Sequence, residues 1–140
     1  MGSFTKKMKL LLDTHIWIWA LNNPKKLNRK VRLALGSPKN ELWLSPISVW
    51  EFLLLCERKR IKLHANTKPQ QWLESAFLKT PIIEAPLTRE VALHSRILPF
   101  IHDDPADRFI AATAAIYDLS LVTSDERLLN TTGFKKLSNI

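Results

Sequence analysis

Short apolar runs alternate with amphipathic stretches along almost the whole chain. Lys9 to Leu12 reads as a buried strand, closed by Asp13. Thr14 then starts a helix in which His15 to Leu21 is apolar nearly all round, before the turn cluster Asn22, Asn23 and Pro24. Leu27, Val31 and Leu35 form one face of a second helix, with Arg29, Lys30 and Arg32 on the others and Gly36 as its stop. Glu41 to Leu44 is the second strand. Ser45 and Pro46 open a third helix, running from Ile47 to about Arg60. A basic segment, Glu57 to Lys62, leads to a helix from near Thr67, expected to turn Trp72, Ala76 and Phe77 inward.

The second half repeats the alternation. Pro81 to Ala85 is predicted as a strand, Thr88 to Leu98 as a helix capped by Thr88, and Asp104 to Asp118 as the most strongly marked helix of the chain. Asp104 suits its N-cap, Pro105 its first position, and Asp107 the positive end of its dipole. Small residues from Ala111 to Ala115 allow close packing on a sheet. Leu119 to Thr123 is a further strand, Ser124 is expected to cap a brief helix holding Asp125 and Glu126, and Phe134 to Ser138 is the last strand. Strands alternating with helices predict an α/β fold, a mainly parallel sheet covered on both faces.

Composition narrows this picture modestly. One domain over residues 1–140 is expected at this length, with residues 1–7 too short and polar to form an element and readable as a cloning remnant. No run approaches the roughly 18 apolar residues of a membrane span. The single Cys56 excludes an intrachain disulfide framework and a cysteine-based zinc cluster, which makes a reducing cytoplasm the default location. The net charge of +8 favours an anionic partner, although a solvated basic surface accounts for it equally well.

The acidic residues carry the chemistry. Asp13 follows a strand, Glu51 lies between Trp50 and Phe52 on an apolar helix, Asp107 stands at a helix start, and Asp125 follows another strand. A parallel sheet can gather all of them at one edge. Two like charges about 4 Å apart repel by around 4 kcal/mol at an effective dielectric near 20, so such a cluster implies a cation. An all-oxygen set without cysteine suits Mg²⁺ or Mn²⁺. Glu51, if partly buried, needs a metal or an Arg or Lys partner, with Ser45 and Ser48 placed to hydrogen-bond to it. His15 beside a carboxylate is readable as a ligand, though a lone His at an apolar helix start is more often structural. An Mg²⁺ phosphatase using Asp13 as nucleophile usually wants a second acid two residues on, and that position is His15.

Taken in order, LLLDTHIWIWAL, SPISVWEFLLL, HDDPADRFIAATA and LSLVTSDERL resemble the PIN domain, in particular the VapC-type ribonuclease toxins of bacterial toxin–antitoxin pairs. The resemblance covers almost the whole chain. It implies a three-layer α/β/α sandwich and places metal-binding, catalytic acids on Asp13, Glu51, Asp107 and Asp125, with Thr14 and Thr123 as polar neighbours. It further implies Mg²⁺ or Mn²⁺ as cofactor, a structured RNA substrate, a small antitoxin partner and a homodimer. Asp104 is a second acid in the third motif, and its N-cap position favours a structural role. His102 and Arg108 flank that motif, placed to meet a phosphate or, for Arg108, to pair with a site carboxylate. Trp17, Trp19, Trp43, Trp50 and Leu53 to Leu55 are expected to offer a partner more apolar surface than a small domain hides. The competing reading is a catalytically weak PIN fold used as an RNA-binding or interaction module. Its mark would be a missing acid, and none is missing.

Overall fold

The computed structural model describes residues 7–64, 66–100 and 102–140; the polar start of the chain, residues 1–6, lies outside them. Its centre is β1 (Lys9–Leu12), whose three leucines are buried on both faces of the sheet. A strand covered on both sides has no reason to alternate, which is why it reads as a continuous apolar run. β1 pairs in parallel with β2 (Glu41–Leu44) on one side and with β4 (Ser120–Thr123) on the other. β3 (Ile83–Glu84) and β5 (Lys135–Ser138) form the two edges, also parallel, giving the order β3-β2-β1-β4-β5.

Parallel neighbours require crossovers, and the helices that make them cover the two faces. On one face Leu10, Leu12, Leu44, Val122 and Leu137 pack with residues of α1 (Thr14–Asn22), α2 (Arg29–Gly36), α3 (Pro46–Glu57) and α4 (Pro69–Lys79). On the other, Leu11 and Leu121 pack with α5 (Arg89–Ser95), α6 (Pro105–Ile116) and α7 (Glu126–Leu129). This is the expected three-layer α/β/α sandwich. Of the small residues predicted to pack closely, Ala111, Ala112, Thr113 and Ala114 of α6 are buried, while Ala115 is only partly so.

Several boundaries differ from the sequence reading. α2 begins at Arg29 because Asn28 accepts the Val31 N–H as its cap, after a 3-10 turn over Pro24–Lys26. α3 ends at Glu57, and Lys59 two residues on takes a left-handed φ of 55°. α4 starts at Pro69 rather than near Thr67, and while Ala76 is buried as expected, Phe77 is 43% exposed, stacked on Trp17. β3 shrinks from the expected 81–85 to two residues, pairing Trp43 with Ile83 and Leu44 with Glu84. Pro81 and Pro86 flank it and cannot donate to a ladder.

The order of strands matters for function. The chain runs from β1 outward through β2 to β3, then returns to lay β4 on the other side of β1. The crevice at the carboxyl ends of β1 and β4 is therefore the switch point where open α/β sheets bind ligands.

Candidate active site

Asp13 leaves β1 at that crevice while its backbone is still tied to the sheet, its N–H donating to Val122 O at 3.0 Å. Its carboxylate caps α1 through the Thr14 N–H (2.9 Å) and accepts from Thr123 Oγ1 at 2.7 Å. The Thr123 oxygen in turn accepts the Asp125 N–H at 3.0 Å. One hydroxyl thus fixes two acids from neighbouring strand ends.

Asp125, and not Ser124, is the N-cap of α7, accepting the Arg127 N–H at 2.9 Å. The Ser124 hydroxyl is instead taken by Asn139, 2.8 Å from its amide nitrogen. Glu51 reaches the same crevice from α3. Its partner is neither an Arg nor a Lys among the described residues, and neither Ser45 nor Ser48 directly: it is the Thr14 hydroxyl. Thr14 Oγ1 also stands 2.9 Å from Ser48 Oγ. Thr14 has one proton, which goes to the carboxylate, so Ser48 supplies the other bond as donor. Ser45 caps α3 through the Ile47 N–H.

Asp107 sits in the first turn of α6, 8% exposed, beneath its cap Asp104, which accepts the Ala106 and Asp107 N–H groups. Its Oδ2 is buried without a hydrogen-bond partner among the described residues. The nearest basic side chains lie at 3.5 Å (Arg127 Nη2) and 3.8 Å (His102 Nε2). Arg108 does not pair with a site acid. It lies 3.0 Å from Asp103 and donates to the carbonyls of Ser95 and His102.

All four predicted acids, with Asp104, His15 and Arg127, line a single cavity of about 310 Å³. Their electrostatics agree with that proximity. Burial, reinforced by the charges of Asp104, Asp13 and Asp125, pushes the Asp107 carboxyl up to about 7. Burial also raises Asp13 and Glu51, against the lowering effects of the Thr123 and Thr14 hydroxyls. Asp125 alone is lowered, because the side chain and backbone of Arg127 outweigh its desolvation. Arg127 is the candidate-site residue that sequence reasoning missed; its position two residues after Asp125, a predicted site acid, was the available signal.

This donor set fits a hard divalent ion: oxygens throughout, like charges crowded together, and a buried carboxylate oxygen without a donor. Among the described residues no three His, Cys, Asp or Glu side chains are arranged to hold one ion directly. An ion here would keep several waters, as Mg²⁺ does.

The PIN domain model matches residues 10–134. The chain belongs to the PIN domain family. All four sequence motifs fall inside the matched span. The chain is 34% identical over 120 residues to ribonuclease VapC22 of Mycobacterium tuberculosis, covering 85% of this chain and 88% of that protein. Among solved structures, the fold is similar to VapBC2 from Rickettsia felis bound to a DNA fragment from their promoter, with TM-score 0.68, 16% identity and coverage of 94% of this chain and 98% of that one. It is also similar to a toxin-antitoxin complex from Klebsiella pneumoniae, with TM-score 0.62, 20% identity and coverage of 94% and 98%. The predicted family and its α/β/α PIN architecture are borne out.

Outside the cavity, Arg29, Lys30, Arg58 and Lys59 are exposed, and none lines the acidic pocket. Of the four tryptophans expected to serve a partner, Trp17 belongs to the core, 1% exposed between Phe52, Trp72 and Phe77. Trp50 is 55% exposed, and Trp19 and Trp43 are half-buried. No helix among the described residues is long and apolar enough to cross a membrane.

Proposed function

We propose that this PIN domain is an endoribonuclease that hydrolyses a phosphodiester bond of a structured RNA with Mg²⁺ or Mn²⁺ in the acidic cavity. The observation that carries this reading is the buried, donor-less Asp107 Oδ2 in a cavity shared with Asp13, Glu51 and Asp125. Similarity to a ribonuclease across most of both chains supports it. A bound divalent ion would polarise a phosphate oxygen and acidify a water. The protein's part is to hold the acids still. Thr123 pins Asp13 from β4, Thr14 pins Glu51 from α1, and the first turn of α6 presents Asp107. Each acid is therefore oriented from a different element before any ligand arrives, which spares reorganisation during reaction. Exposed Arg29, Lys30, Arg58 and Lys59 would track the polyanion, so RNA binding should weaken steeply with salt.

The same reading makes the chain the toxin of a toxin–antitoxin pair, working in the cytoplasm as a homodimer and silenced by a small antitoxin. Its support is the toxin–antitoxin complexes among the similar folds and the apolar side chains left at the surface, Trp50 among them.

The deciding experiment is incubation with structured RNAs in Mg²⁺, Mn²⁺ or chelator, beside Asp107→Asn. That substitution keeps the N–H bond to Asp104 and removes one charge from the pocket. Metal-dependent cleavage by the wild type, with the variant inactive but still able to bind RNA, is expected. Full activity in chelator, or equal cleavage by the variant, would leave the binding-module reading ahead.

A further inference from the structure

Arg127 occupies a place that the proposed chemistry leaves unexplained. Its guanidinium lies along Asp125, Nε 3.4 Å from Oδ1 and Nη2 3.2 Å from Oδ2. The same Nη2 stands 3.5 Å from Asp107 Oδ2, the buried carboxylate oxygen that has no hydrogen-bond donor. Among the described residues Arg127 is the only Lys or Arg lining the acidic cavity.

We propose that Arg127 is a built-in counter-ion, which bridges Asp125 and Asp107 while the cavity holds no metal and is displaced when a divalent cation binds. The inference rests on the metal-site reading above and deepens it by naming the group with which the metal competes. Three features support displacement over a permanent brace. The Asp107 contact, at 3.5 Å, is an ion pair and not a hydrogen bond, so it neutralises charge without satisfying the oxygen. The Arg127 side chain is more than half exposed, leaving it room to swing into solvent. The cap of α7 uses the Arg127 backbone N–H, so the side chain is free to leave without unravelling the helix. Electrostatically the two occupants exclude each other, since a guanidinium within hydrogen-bonding distance of Asp125 would sit against a doubly charged ion on the same oxygen.

The test uses the full chain. In a sample labelled with nitrogen-15, the Arg127 Nε–H resonance is followed through an Mg²⁺ titration, with the Asp13 and Asp107 amides reporting occupation of the cavity. The Arg127 signal should move to the position of exposed arginines in step with those amides. Calorimetric titration with Mn²⁺ should show Arg127→Gln binding roughly fivefold more tightly than wild type, with Arg127→Lys, which keeps the charge but loses the side-on pair, in between. A stationary Arg127 signal while the Asp13 and Asp107 amides titrate, or a Gln variant that binds Mn²⁺ no more tightly, overturns the proposal. Silence of the Asp13 and Asp107 amides would instead remove the metal site itself, and this proposal with it.

Discussion

Replacing Asp107 by asparagine should alter stability in opposite directions at the two ends of an accessible pH range. The Asp107 carboxyl is pushed from an ordinary 3.8 to about 7, chiefly by burial. Between those values the folded chain retains a proton that the unfolded chain has released. The sign follows from linkage: below 3.8 the group costs nothing, the cost grows as pH rises through the window, and it is complete above about 7. Each pKa unit is worth about 1.4 kcal/mol, so the metal-free protein carries a penalty of order 4 kcal/mol at alkaline pH. Asparagine never ionises and escapes it. The amide has a cost of its own, because the site offers Asp107 Oδ2 no donor, and an unsatisfied buried polar group costs about 1–3 kcal/mol at every pH.

These two magnitudes decide the outcome. Near pH 5 they roughly cancel, and Asp107→Asn should be neutral or mildly destabilising. Near pH 8 the relieved charge exceeds the amide cost, and the variant should be the more stable protein. The offset between variant and wild type should therefore change by about 2.7 kcal/mol from pH 5 to pH 8, two pKa units being traversed. Urea denaturation in chelator at several pH values measures it directly, because groups that titrate identically in both proteins cancel. An offset flat to within about 0.5 kcal/mol across this range would refute the account of Asp107 as a buried carboxylate that is costly to ionise. Repeating the series in excess Mg²⁺ should restore the wild type's advantage at pH 8.

Two further substitutions probe the scaffold. Thr14→Val keeps the shape of a residue that is 1% exposed but strips Glu51 of its hydroxyl donor; it should cost about 1–3 kcal/mol, with Thr14→Ser recovering most of the loss in denaturant titrations. Gly133→Ala should cost a similar amount, since residue 133 has a φ of +107° and a Cβ there would lie 2.8 Å from the Leu98 side chain, and thermal melts would show it as a lower midpoint.

How legible the molecule was depended on whether a signal was local. The start of α6 was readable because its cap, its first-turn proline and its small-residue face are all adjacent in sequence. β1 was readable as a run of buried leucines. What resisted was any competition between neighbours. Ser124 and Asp125 are both good caps, and the choice fell to Asp125 because Asn139, from beyond β5, engages the Ser124 hydroxyl. The partner of Glu51 lies 37 residues away on α1, where no spacing rule announces it. Arg127 carries no mark in the sequence beyond a basic residue on a short helix. Only the approach of α6 to the end of β4 brings Asp107 within its reach.

Gathering so many carboxylates is less costly than their formal charges suggest, because three of them also serve as helix caps. Asp13, Asp104 and Asp125 cap α1, α6 and α7, so each accepts a backbone N–H at the positive end of a helix. The same bonds that terminate these helices hold the acids at the rim of the crevice between β1 and β4. Glu51 lies within α3 but has Thr14. Asp107 differs from all of them: it is past the cap of α6, only 8% exposed, and its Oδ2 has no donor among the described residues. Its carboxyl is accordingly pushed up to about 7. The fold thus gives the other acids hydrogen-bond donors and leaves one buried carboxylate oxygen without any, which is where an arriving cation has most to gain.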